Sequence, residues 1–216
     1  MPESKNILRN SVPALQAACL LLMLFICQSC TFVSQALVGY HEPLALTSAQ
    51  HRRYLDKLGA EAENAYTLDS SYLRLLRIED TSSRRAEKKN HYQPIQVLYF
   101  DTGAYPVRWY INCYAPGFPN LDWEGKGNFR VFPPLQQAPT DSLVSLQQLL
   151  GCAVPLDTTA NAGDHTAYTV VFIWNRFLFR QCKRLHRLVR DNLGLTDSTR
   201  RIIYLNNDAL YAGPDD

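Results

Sequence analysis

The hydrophobic positions of this chain change period several times, and each change marks an element. Over residues 48–63 the spacing predicts a helix with Ser48 as its cap, interrupted at Gly59. A second, shorter helix follows Asp69 or Ser70, where Tyr72, Leu73, Leu75 and Leu76 cluster. Residues 81–90, with Arg84, Arg85, Glu87, Lys88 and Lys89, predict an exposed connection. The character then turns to β. Residues 95–100 and 107–114 are dense in Val, Ile, Tyr, Phe and Trp, and they enclose Asp101-Thr102-Gly103-Ala104, the composition of a hairpin turn. Residues 129–132, stopped by Pro133-Pro134, are a third candidate strand. Thr140 or Asp141 then caps an expected helix with Leu143, Leu146 and Leu150 on one face, closed by Gly151.

The C-terminal third carries the clearest pattern. Residues 167–174 form a strongly apolar strand, Asn175 is a natural cap, residues 176–192 are helical, and residues 201–205 form another strand. A strand, a helix and a strand at this spacing imply a right-handed crossover between parallel strands. Leu178, Cys182, Leu185 and Val189 make one stripe of the helix; Arg176, Arg180, Lys183, Arg184, Arg187 and Arg190 cover its other faces, with no acid before Asp191. Such cations are either simply solvated or arranged to dock an acidic partner or phospholipid. The elements together give an α/β fold, or a mixed α+β one: a β-hairpin plus a C-terminal βαβ unit in one mixed sheet with flanking helices.

Upstream of residue 48 the pattern is of a different kind. Residues 1–10 carry Lys5 and Arg9 against Glu3, an apolar stretch follows from Val12, and Gln28-Ser29-Cys30 ends it. The uninterrupted apolar run, Ala17 to Cys27, is eleven residues long, whereas a helix crossing the hydrocarbon core needs about 20. This basic, apolar, small-residue order with a cysteine at its end resembles the signal peptide of bacterial lipoproteins. The resemblance implies cleavage before Cys30, acylation of Cys30, and a membrane-anchored protein of the bacterial cell envelope, facing the periplasm or the cell surface. The alternative is an uncleaved membrane helix from Ala14 to about Tyr40. The expected organisation is a signal peptide over residues 1–29, a lipid-anchored tether over 30–47, an N-terminal helical segment over 48–92 and a mixed α/β domain over 93–216.

Composition narrows the function further. The chain has 216 residues, 46% hydrophobic and 19% charged, which suits a packed domain and not a disordered one. Without residues 1–29 it holds 20 basic and 19 acidic side chains, a balance that argues against a dedicated nucleic-acid binder. Of the six cysteines, Cys113, Cys152 and Cys182 stay with the fold. None of these is spaced as C-x-x-C, so a zinc knuckle and the ordinary dithiol motif are both missing.

Thr169-Val170-Val171-Phe172-Ile173-Trp174, the following helix with Cys182-Lys183, and residues 201–208 are similar to the central βαβ of thioredoxin-like proteins. In that family a Cys-x-x-Cys opens the helix, where the helix N-terminus lowers the first thiol's pKa. The comparable residues here are Phe179-Arg180-Gln181-Cys182, so phenylalanine stands at the nucleophilic position. The resemblance therefore implies a degenerate fold, thioredoxin-like in part, with its hairpin and helix placed before the βαβ unit. It keeps an envelope thiol-redox protein using Cys182, with Cys113 or Cys152, as the alternative function.

Other strings carry less. Asp101-Thr102-Gly103 matches the aspartic-protease loop, but that chemistry needs two such carboxylates on an all-β scaffold, and Asp and Gly are ordinary turn residues. Asp164-His165 and the serines Ser142 and Ser145 lack a nucleophile elbow. The histidines His41, His51, His91, His165 and His186 are scattered without ligand spacing, and no phosphate-binding glycine motif occurs, so neither a metal nor a cofactor is expected. The aromatic-dense region from Tyr105 to Phe132 offers Trp109 and Trp123 as a partner surface, beside Arg180, Lys183 and Arg187 of the basic helix. The expected protein is a non-catalytic envelope component that binds or assembles with a protein partner.

Overall fold

A computed structural model describes residues 39–78, 85–118, 120–125, 127–157 and 166–213. Two compact units divide the chain at Tyr40 and His41, and every element described belongs to the second. Helix α1, Ser48–Leu58, is capped by Thr47 rather than by Ser48: the Gln50 N–H donates to the Thr47 hydroxyl (3.3 Å) while the Thr47 N–H donates to the Gln50 side chain (2.9 Å). It ends at Gly59, whose φ of 69° is left-handed and open mainly to glycine. A 3-10 turn, Ala62–Asn64, leads into strand β1, Ala65–Leu68, inside the segment expected to be helical.

Helix α2 spans Ser70–Ile78 as its apolar cluster predicts, and α3, Arg85–His91, replaces the expected exposed connection. The end of α3 is tied down: the Tyr72 hydroxyl (3.1 Å) and the Gln96 side-chain amide (2.9 Å) both donate to the His91 carbonyl. The hairpin is β2, Gln96–Phe100, and β3, Pro106–Ile111. Residues 129–132 are not a strand. A 3-10 turn, Asn128–Arg130, stands there, and the Asn192 amide donates to the carbonyls of Phe129 (2.9 Å) and Val131 (2.6 Å), taking the acceptors a ladder would use. Helix α4 is shorter than expected, Leu146–Gly151, because Ser145 provides the capping box and Asp141 is engaged elsewhere. Strand β4, Ala153–Pro155, β5, Tyr168–Trp174, α5, Phe179–Leu193, β6, Arg200–Asn206, and the short α6, Asp208–Tyr211, complete the order.

The six strands form one mixed sheet in the order β3-β2-β5-β6-β1-β4. β5, β6 and β1 run parallel; the hairpin joins antiparallel through β2 on one side and β4 antiparallel on the other. Hairpin and βαβ unit thus share one sheet, the mixed α/β architecture that the pattern implied. Alternation along the strands feeds two cores. On one face Tyr99, Val170, Phe172, Trp174 and Tyr204 meet Leu55 of α1 and Cys182, Leu185 and Val189 of α5. On the other Leu98, Trp109, Val171, Ile173 and Leu205 meet Tyr72 and Leu76 of α2 and Leu149 of α4. Cover on both faces explains why β5 is apolar without a break from Val170 to Trp174 instead of alternating. Among the described residues no helix is long and apolar enough to cross a membrane.

Candidate functional site

Of the residues that sequence brings forward, the two tryptophans move inward. Trp109 and Trp123 are 0% and 1% exposed and belong to the two cores, so they cannot form a partner surface. The reason lies in the hairpin, which is covered on both faces: Trp109 and Ile111 pack in one core, Tyr110 in the other.

The three cysteines of the fold are free and dispersed. Cys113 is exposed in the 3-10 turn Asn112–Tyr114, Cys152 is buried after α4, and Cys182 is buried on α5; the last two belong to cores on opposite faces of the sheet. The Cys182 thiol donates toward the Asn175 carbonyl at 3.6 Å, and burial pushes its pKa up to about 12. A thiol held protonated in a core has no nucleophilic thiolate to offer.

The remaining candidates have structural work. Asp101 accepts the Gly103 N–H at 2.7 Å, an ordinary turn bond, and Ser145 caps α4. Asp164-His165 lies outside the described residues. His91 is buried against Trp109, with rings 4.5 Å apart, and its Nε2 meets Asp141 at 3.0 Å. His51 Nδ1 lies 3.3 Å from the Thr67 hydroxyl and His186 Nε2 lies 3.0 Å from that of Tyr204. Burial first, and then Arg52 or Arg190, lowers the pKa of His51 and of His186 to about 4, so both rings are neutral near pH 7. Among the described residues no group of three or more His, Cys, Asp or Glu side chains is placed to hold a metal ion.

Ligands of parallel α/β sheets commonly sit beyond the carboxyl ends of the strands. At that end of β5 and β6 this chain buries Asn175, Asn206, Asn207 and Asp208. The amides of Asn175 (2.8 Å) and Asn207 (3.0 Å) both donate to the Pro94 carbonyl, and Asp208 Oδ2 accepts from the Asn206 amide and the Arg176 N–H, each at 2.7 Å. The strand ends are closed by their own side chains. Sequence alone marks Asn175 as a cap; the burial of Asn206, Asn207 and Asp208 comes from tertiary packing, and their run directly after an apolar strand is its signal in the sequence.

The outer face of α5 is basic. Gln181, Cys182, Leu185, Val189 and Asn192 are buried toward the sheet, while Arg180, Lys183, Arg184, Arg187 and Arg190 recur at three- and four-residue steps on the opposite side. At 1.5 Å per residue this row extends for about 15 Å. It borders a cavity of about 540 Å³ whose other walls include Leu58 at the end of α1, His186 and Asp191. A neighbouring cavity of about 330 Å³ shares Arg190 and reaches Glu61, Arg200 and Tyr204. The hydrogen-bonded His186 and Tyr204 each line one of the two.

No family, curated protein or solved structure matches this chain. The chemistry of the face must therefore be judged from its own charges. The Arg184 guanidinium donates to Gln181 at 3.4 Å and that of Arg190 to the Gly59 carbonyl at 3.5 Å; among the described residues no ion pair engages Lys183 or Arg187. Like charges at i,i+3 and i,i+4 each cost a helix about 0.2–0.5 kcal/mol, so this row weakens α5 by roughly 1–2 kcal/mol in isolation. Of the expected site residues, Arg180, Lys183 and Arg187 do line one cavity. Leu58 was missed, since only the fold carries α1 to this wall.

Proposed function

We propose that this chain is a lipid-anchored, non-catalytic component of the bacterial cell envelope, whose folded unit binds an anionic partner on the basic face of α5. The observation that carries the binding part is that face itself: five cations in one row beside a cavity of about 540 Å³, with Asp191 the acid among the lining residues. A row of like charges weakens its own helix, and an anion laid against it recovers that energy. Anchoring rests on the N-terminal pattern ending at Cys30. The burial of Cys182 and Cys152 weighs against the thiol-redox alternative.

Two measurements on the full chain test the proposal. Cells given a labelled fatty acid should incorporate it into the wild type and not into Cys30→Ala. Purified protein should bind polyglutamate with an affinity that falls steeply with salt, and lose it in Lys183→Gln/Arg187→Gln. Absence of label in the wild type removes the anchor; absence of salt-sensitive binding removes the anionic partner.

A further inference from the structure

We infer that the occupant of the α5 groove is an acidic helical segment of a partner protein, presenting carboxylates at one-turn spacing. This deepens the proposed binding reading and rests on it. The argument is one of geometry matched to charge. Lys183 or Arg184, Arg187 and Arg190 recur once per helical turn, about 5.4 Å apart along the axis. Carboxylates placed three or four residues apart on a second helix repeat at that same interval. A phosphate group is best held by several donors converging on one point, whereas these cations are drawn out in a line. A bilayer offers a plane, whereas this face borders a recess walled by Leu58. The recess, about 540 Å³, has room for several acidic side-chain ends rather than a helix body. Most of the row is arginine, whose planar fork takes a carboxylate through two parallel hydrogen bonds. Leu58 supplies an apolar contact for the stem of an inserted glutamate. Asp191, at the C-terminal end of the row, repels carboxylates there and so favours a ligand whose charge ends before it.

The experiment uses the purified full chain and two labelled alanine-based helical peptides of identical composition. One spaces its glutamates at i, i+4, i+7 and i+11; the other gathers them at one end. Fluorescence anisotropy at moderate salt should give about fivefold or more tighter binding of the spaced peptide, and a loss of about tenfold or more in Lys183→Gln/Arg187→Gln, with Arg74→Gln, exposed on α2 over the opposite face of the sheet, unchanged. Should the double variant fold poorly, Arg187→Glu tested with a peptide carrying one lysine in place of a glutamate gives a charge swap, expected to restore part of the lost affinity. Vesicles of phosphatidylcholine with and without phosphatidylglycerol form the lipid arm. Equal binding of the two peptides, or binding to the anionic vesicles alone, overturns the acidic helix and leaves the anionic partner standing. Failure of both peptides, the vesicles and polyglutamate overturns both.

Discussion

His186 Nε2 lies 3.0 Å from the Tyr204 hydroxyl, a buried hydrogen bond that fastens the inner edge of α5 to β6 beneath the basic row. The geometry has a pH consequence. His186 and His51 are held at a pKa of about 4 in the folded chain, by burial and then by the neighbouring Arg190 and Arg52, against about 6.5 when unfolded. Between those values the unfolded chain binds more protons, so stability rises with pH through the window and is lost as pH falls through it. Each imidazole should remove about 2 kcal/mol between about pH 7.5 and about pH 5. Urea midpoints at the two pH values measure the sum, and His186→Gln, which cannot titrate, should remove about half of the difference and leave the share of His51. A midpoint that rises on acidification contradicts the assignment.

Thiol labelling separates the cysteines. Cys113 is exposed and should alkylate in the native protein, at a rate restrained by partial burial that raises its pKa, whereas Cys152 and Cys182 should react only after denaturant is added. Peptide mapping by mass spectrometry reads all three sites. Labelling of Cys182 in the native protein at a rate near that of Cys113 would restore the redox reading.

Gly59 is where α1 stops beside the end of the groove. Its backbone is left-handed, φ 69°, and a methyl group placed there would stand 3.1 Å from the Arg190 guanidinium. Gly59→Ala should therefore cost about 1–2 kcal/mol of backbone strain, with the flexible Arg190 moving aside. Denaturant unfolding measures it, and an unchanged midpoint would mean that the turn can be made another way.

The parts of the fold that sequence disclosed are those written in short-range periodicity. The stripe Cys182, Leu185 and Val189 marks its own inner face, and the run of β5 marks a strand covered on both sides. β1 and β4 escaped because each is short and owes its existence to distant neighbours: Tyr66 pairs with Leu205 and with Pro155. Trp109 looked like surface because alternation gives the hairpin two faces without saying that both are covered. Residues 129–132 have strand composition, yet the Asn192 amide takes the carbonyls of Phe129 and Val131, a contact between elements far apart in the chain. The site was half legible for the same reason: Arg180, Lys183 and Arg187 follow from the helical repeat, whereas Leu58 reaches their cavity through tertiary packing.

The most direct measurement of the central claim pairs thermal unfolding with polyglutamate binding, in the wild type and in Lys183→Gln/Arg187→Gln. Removing two charges from the row relieves like-charge pairs, so Tm should rise by roughly 2–4 °C, while salt-sensitive binding is lost. A double variant that keeps its affinity would show that the basic face of α5 is not the binding surface.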